Sequence, residues 1–347
     1  MNRLRTSSVL VLGLLVGLSI ITLPASASFP GKNGRIAFVL GPDIYTMNPD
    51  GSEIRQLTNL GPDSGASWES WSPDGKLIVF NEYRPPDFVG QLWLMNADGS
   101  NQRLLLADAD FDDERPSFTP DGNSVIFSRC RLDVEGTCAL FQMQINGGAI
   151  TAISHFELGI QDFSPHYSAD NTLMFTGVGR QGIICAIELR DPQESALRRL
   201  IPAPLAARQP DWSPDARRIA FSTHCRGLDG NPENEEIWTV NAKGDAMLRL
   251  TNNGDDYFSG PHDFHPSWSP QGDAIVFERD APDYSSSGIF TMKSDGSGSK
   301  EVLALGSPVR KSILQRQQKR SLGGRTAHPL KQIEDGGALP QWGPAEN

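Results

Sequence analysis

The stretch Trp71-Ser72-Pro73-Asp74-Gly75-Lys76-Leu77-Ile78-Val79-Phe80 decides the fold. Proline presets φ at the first turn position, aspartate tolerates the second, and glycine takes the left-handed conformation that reverses the chain. The apolar run that follows is of strand length and closes on phenylalanine. The block returns as Phe118-Thr119-Pro120-Asp121-Gly122 with Ser124-Val125-Ile126-Phe127, and in degraded form as Tyr167-Ser168-Ala169-Asp170-Asn171 with Leu173-Met174-Phe175. It is sharp again at Trp212-Ser213-Pro214-Asp215 with Ile219-Ala220-Phe221, and at Trp268-Ser269-Pro270-Gln271-Gly272 with Ala274-Ile275-Val276-Phe277. Ala216 stands where glycine is expected and carries about 1 kcal/mol of strain if the turn is the same.

Working outward, a second block follows each first one, as in Leu92-Trp93-Leu94-Met95-Asn96-Ala97-Asp98-Gly99 and Ile237-Trp238-Thr239-Val240-Asn241. One more short strand follows each Asp-Gly type turn, so the unit is four short strands. Such a unit cannot bury both faces alone. Arranged radially, the units bury them against one another and leave only short protected edges. The expectation is an all-β, six-bladed β-propeller over residues 28–347.

The first unit, residues 34–59, lacks its opening strand, and Pro340-Gln341-Trp342-Gly343-Pro344 copies that strand at the other end of the chain. The C-terminal strand is therefore expected to complete the N-terminal blade. The repeated tryptophans Trp71, Trp93, Trp212, Trp238 and Trp268 read as blade-packing core, not as a sugar platform.

This pattern, Trp-Ser-Pro-Asp-Gly, Ile-Ala-Phe and Ile-Trp-x-Met-Asn-x-Asp-Gly, resembles the PD40 repeat of the TolB-like propellers, a WD40-like repeat also seen in prolyl-oligopeptidase-type proteins. The resemblance covers nearly all of residues 28–347 and implies the fold without specifying the function. The family's envelope protein carries an α/β domain ahead of its propeller, whereas here about six residues separate the expected cleavage point from the first blade, so its partner contacts are not carried over.

Residues 1–27 read as a cleaved signal peptide. Arg3 and Arg5 precede the apolar run at 9–23, Pro24 breaks it, and Ala25-Ser26-Ala27 supplies the small residues of a cleavage site. The run is short of the roughly 20 residues a membrane span needs. A secreted or periplasmic protein, acting as a monomer, is expected. The formal charge of −11 disfavours a nucleic-acid partner.

Four cysteines follow, Cys130, Cys138, Cys185 and Cys225, with no metal-ligand spacing. Cys130 and Cys138 flank a short stretch and are disulfide candidates in an oxidising compartment; Cys185 with Cys225 is a second, weaker pairing, to which two unpaired buried thiols are the alternative.

The long segments at 81–90, 129–137, 223–236 and 278–288 read as a loop-rich recognition face. Asp113, Asp162 and Asp263 each stand three residues before a proline, at equivalent points of the repeat. They read either as a ligand-binding rim for a cationic group at the central opening or as aspartates capping their own loops. His265 joins them as a ligand-binding candidate or as a loop histidine beside Trp268; with Asp255, Asp256, His262 and Asp263 it also mixes imidazole with carboxylate in the manner of a transition-metal site. Asp108, Asp110 and Asp112 resemble the start of a calcium loop, although Asp113 replaces its glycine and Thr119 its glutamate. A solvated acidic loop is the other reading, and no cofactor is otherwise expected. Residues 306–338 form a long basic link, read as an insertion or as an arm for an anionic partner.

No catalytic motif is present. The expected function is an exported binding and scaffolding module for a protein, peptide or glycan. The alternative is a propeller enzyme, a hydrolase or lyase on carbohydrate or peptide, with its site in the central funnel.

Overall fold

The structure, a computed structural model, describes residues 30–345 except 62, 135, 180–185, 191–195, 202–206, 224–234, 255–259 and 306–338. The expected signal peptide, Cys185, Cys225, Asp255, Asp256 and the basic link lie outside the described residues.

Twenty-four strands are found among the described residues. The first sheet holds β1 (Asn33–Leu40), β2 (Asp43–Met47), β3 (Arg55–Gln56) and, from the other end of the chain, β24 (Gln341–Pro344). The second holds β4 (Gly65–Trp71), β5 (Leu77–Tyr83), β6 (Gly90–Asn96) and β7 (Arg103–Leu106). Next come β8 (Phe111–Phe118), β9 (Ser124–Arg131), β10 (Cys138–Gln144) and β11 (Thr151–Ala152), then β12 (Gln161–Tyr167), β13 (Leu173–Val178), β14 (Ala186–Arg190) and β15 (Arg198–Arg199). The last two sheets are β16 (Ala207–Trp212), β17 (Arg218–Thr223), β18 (Ile237–Asn241), β19 (Leu248–Arg249), and β20 (His262–Trp268), β21 (Ala274–Asp280), β22 (Ser287–Lys293), β23 (Lys300–Leu305).

The architecture is an all-β propeller, but the expectation of six separate blades is corrected. Four sheets stand alone with four strands each, and β8 to β15 form one eight-stranded sheet. The cause is local: Cys138 on β10 pairs in parallel with Gln161 on β12, and its amide donates to the Ile160 carbonyl at 3.1 Å. That bridge joins the opening strand of one antiparallel meander to the third strand of the other, ahead of the short stretch that β11 covers.

The repeated residues do the packing. The phenylalanines that close each second strand, Phe38, Phe80, Phe127, Phe175, Phe221 and Phe277, are all buried. Each contributes roughly 1.5–3 kcal/mol by leaving water. Core clusters form between neighbouring meanders, and the last one unites Ile36, Phe38 and Met47 with Val276, Ile289, Leu305 and Trp342. The first sheet thus packs on the second through Ala37, Ile44, Trp71 and Phe80, and on the last through this cluster, which closes the ring. In the reversing turns Gly75 takes φ +72° and Ala216 takes φ +56°, so alanine occupies the left-handed position that its Cβ disfavours.

Cys130 and Cys138 sit opposite each other on β9 and β10 and form a disulfide. Closing so short a loop stabilises by about 2–3 kcal/mol in the chain-entropy account. The double change Cys130→Ser, Cys138→Ser should therefore lower the unfolding free energy by about that amount, read as a lower urea midpoint. Reductant should do the same to the unaltered protein and nothing to the variant.

Candidate axial cavity site

The opening strand of each meander carries a bulge, marked by register shifts between Ser67 and Ser70, Glu114 and Ser117, Phe163 and His166, Arg208 and Asp211, and Phe264 and Ser267. At each bulge one residue takes a left-handed φ: Trp68 at 56°, Arg115 at 54°, Ser164 at 48°, Gln209 at 52° and His265 at 50°. Leu339, just ahead of β24, does the same at 45°. None of the six is β-branched, as that backbone region requires. In five cases proline follows, a residue whose missing amide costs nothing at a bulge. In the sixth, Glu69 follows Trp68. All six left-handed residues line one cavity of about 50 Å³, with Glu69, Ser70, His166, Asp211 and Gln341 among the rest of its wall.

Its polar groups are largely fixed. The Arg115 guanidinium lies over the Trp68 ring at 4.4 Å and the Phe163 ring at 4.6 Å, and donates to Ser164 Oγ at 3.4 Å. Gln209 Oε1 accepts from Ser222 Oγ at 2.6 Å and from the His265 amide at 3.2 Å. Its Nε2 must then donate to His265 Nε2, at 2.6 Å. That bond leaves the His265 proton on Nδ1, which faces Glu278 Oε2 at 3.4 Å. Asp211 Oδ2 accepts from the Trp268 amide at 2.8 Å. Enclosure by protein pushes the His166 imidazole down to about 4, so it is neutral at pH 7, although the residue as a whole is only half-buried.

Glu69 is the exception. Its side chain is buried, neither carboxylate oxygen has a hydrogen-bond partner on another of the described residues, and burial pushes its pKa well above the usual carboxylate range, opposed only by its own backbone amide.

The carboxylates expected at the rim do not line this cavity. Asp113 is buried and accepts from Arg129 Nε at 2.7 Å and Nη2 at 2.8 Å. Burial pushes its pKa up to about 6 while Arg129 pulls against that rise. Asp263 is held in the same way by Arg279, at 2.7 and 2.8 Å, and by Asn253 at 2.7 Å. Asp162 accepts from Ser154 Oγ at 2.7 Å. Each has hydrogen-bond partners within the fold. Of the rim candidates only His265 reaches the cavity.

The acidic run does not converge either. Asp112 Oδ1 accepts from the Gly90 amide at 2.8 Å, and Asp108 from the Asp110 amide at 3.0 Å with Arg129 3.7 Å away. Among the described residues no group of three His, Cys, Asp or Glu side chains is placed to hold a metal ion. Trp71, Trp212 and Trp268 are buried core, and Trp93 and Trp238 pack half-buried against it.

The family profile for the TolB beta propeller domain, PD40, matches residues 70–228. The Tol-Pal system protein TolB of Francisella tularensis subsp. mediasiatica is 24% identical over 216 residues, covering 62% of this chain and 46% of that protein. The chain thus matches about half the length of this curated relative. Among solved structures, TolB from Acinetobacter baumannii superposes with a TM-score of 0.64 at 19% identity, over 90% of this chain and 67% of that one. An oligogalacturonate lyase in complex with manganese shares the fold at a TM-score of 0.50 and 14% identity, over 80% of this chain and 74% of its own.

Proposed function

Because this chain is a TolB-like β-propeller, we propose that it works as a binding module of the cell envelope, holding a protein or peptide at the mouth of its axial cavity. In this reading each half of the eight-stranded sheet serves as one blade, so that six repeats surround the axis. The N-terminal pattern of Arg3, Arg5, an apolar run and Ala25-Ser26-Ala27 supports export.

The observation that carries the reading is a contrast between repeated and unrepeated positions. Around each bulge the sequence repeats, with proline after it in five of the six copies and an aromatic residue two positions further on. The left-handed position itself does not repeat: tryptophan, arginine, serine, glutamine, histidine and leucine occupy it in turn. A purely architectural position repeats its chemistry along with its backbone. Six different residues, held at equivalent points of the repeat and lining one cavity, make a recognition surface.

The test is capture from envelope fractions by the immobilised protein, with the double variant Trp68→Ala, Arg115→Ala as comparison. A specific partner lost at least tenfold by the variant is the expected result. A partner held equally well by both proteins would place recognition away from the axis. Chemical turnover of a carbohydrate or peptide by the unaltered protein, with no partner held, would favour an enzyme instead.

A further inference from the structure

Glu69 is the residue the fold does not need. In the other five copies of the repeat the residue after the left-handed position is Pro116, Pro165, Pro210, Pro266 or Pro340, which brings no polar side chain. Glutamate there places an acidic side chain in the cavity wall, 2% exposed, whose oxygens are closed off from solvent and find no partner on another of the described residues. An unmatched buried carboxylate works against folding. Stability therefore does not explain why this copy departs from its five counterparts, and a ligand does.

We propose that the axial cavity takes a single primary ammonium group, with Glu69 as its counter-ion. This rests on the binding-module reading for the identity of the natural partner, whose lysine side chain would supply the group.

Size and chemistry select the ligand. The cavity of about 50 Å³ has room for roughly three or four waters, which suits a compact ammonium head on an alkyl stem. Such a head offers three strong donors and no acceptor, the complement of a carboxylate that has no partner on another residue.

The remaining charged and titratable groups on this wall are Arg115 from β8, His166 from β12, Asp211 from β16 and His265 from β20, with Glu278 of β21 behind His265. Arg115 is held against two aromatic rings, Asp211 and His265 are bonded within the wall, and His166 is neutral at pH 7. The closing strand brings Gln341 and no charge. Burial raises the Glu69 pKa and no neighbouring charge contributes, so an incoming cation is what would let it ionise.

The experiment is calorimetric titration of the whole protein with n-butylammonium and, as the neutral counterpart, n-butanol, between pH 5.5 and 8. Saturable butylammonium binding is expected, at least tenfold tighter than n-butanol, with affinity rising as pH rises and Glu69 ionises. In Glu69→Gln, shown to be folded by its melting curve, the affinity should fall at least tenfold and the pH dependence vanish. Equal binding by the variant, equal binding of n-butanol, or a flat pH profile in the unaltered protein overturns the proposal. Nα-acetyl-lysine amide bound as tightly as butylammonium supports a protein's lysine as the source, and its rejection supports a free alkylamine. The two readings fail separately. A partner captured without butylammonium binding overturns the Glu69 site alone, whereas butylammonium bound with no protein captured overturns the partner reading alone.

Discussion

Removal of residues 339–347 should lower the unfolding free energy by several kcal/mol and shift the protein towards larger species on size exclusion. The strand lost is β24, which pairs with β1 through Ile36 opposite Trp342 and Ala37 opposite Gln341. Trp342 is buried in the cluster that joins the first sheet to the last, beside Val276, Ile289 and Leu305. Deleting a buried tryptophan side chain alone costs about 3–5 kcal/mol. The truncation also strips the partner from one edge of β1, leaving open backbone groups that invite pairing with another molecule. Gly343 provides the milder version of the same test. A Cβ there would come within 2.4 Å of the Trp71 indole, so Gly343→Ala should cost roughly 1–3 kcal/mol by overpacking while keeping the strand. An unchanged denaturation midpoint in the truncated protein would mean that the ring does not depend on its closing strand.

The same strand shows why the fold could be read and the cavity could not. Pro340-Gln341-Trp342-Gly343-Pro344 announces itself because turn chemistry and core packing demand the same residue types in every copy. Trp68, Arg115, Ser164 and Gln209 have no such signature, since a left-handed bulge excludes β-branched side chains and permits much else. Their signal is a column that varies between columns that repeat, and it appears only once the copies are set side by side. Asp113 and Asp263 looked like rim groups because they stand at equivalent points of the repeat, and equivalent points of a ring converge on its opening. Their arginines stand sixteen residues further on in both copies, at the cross-strand positions paired across β8–β9 and β20–β21. Asp162 faces Gly177 at that position instead, so spacing alone did not generalise. The bridge between β10 and β12 is a single contact between two meanders and leaves no repeated trace.

Asp113→Ala should destabilise the protein by about 3–5 kcal/mol, the penalty for leaving a buried guanidinium without its partner. Arg129 is 8% exposed and Asp113 0%, so water cannot replace the lost carboxylate. The paired replacement Asp113→Leu, Arg129→Met should behave quite differently and come within about 1 kcal/mol of the unaltered protein. The Arg129 guanidinium lies 4.6 Å from the Phe111 ring and 5.6 Å from that of Phe141, a setting in which a methionine thioether packs well. The protonation of Asp113 points the same way. Burial outweighs the attraction of Arg129 and lifts its pKa from 3.8 to about 6. A carboxyl that holds its proton more tightly in the folded chain favours folding at low pH, and that contribution fades as the pH rises from about 4 to about 6. Urea denaturation of the unaltered protein and the double variant at pH 4 and pH 7 therefore separates the terms. The unaltered protein should lose stability relative to the double variant on going to pH 7. If the double variant instead falls as far as Asp113→Ala at pH 7, the ion pair is a net source of stability, and its burial does not carry the cost assigned to it.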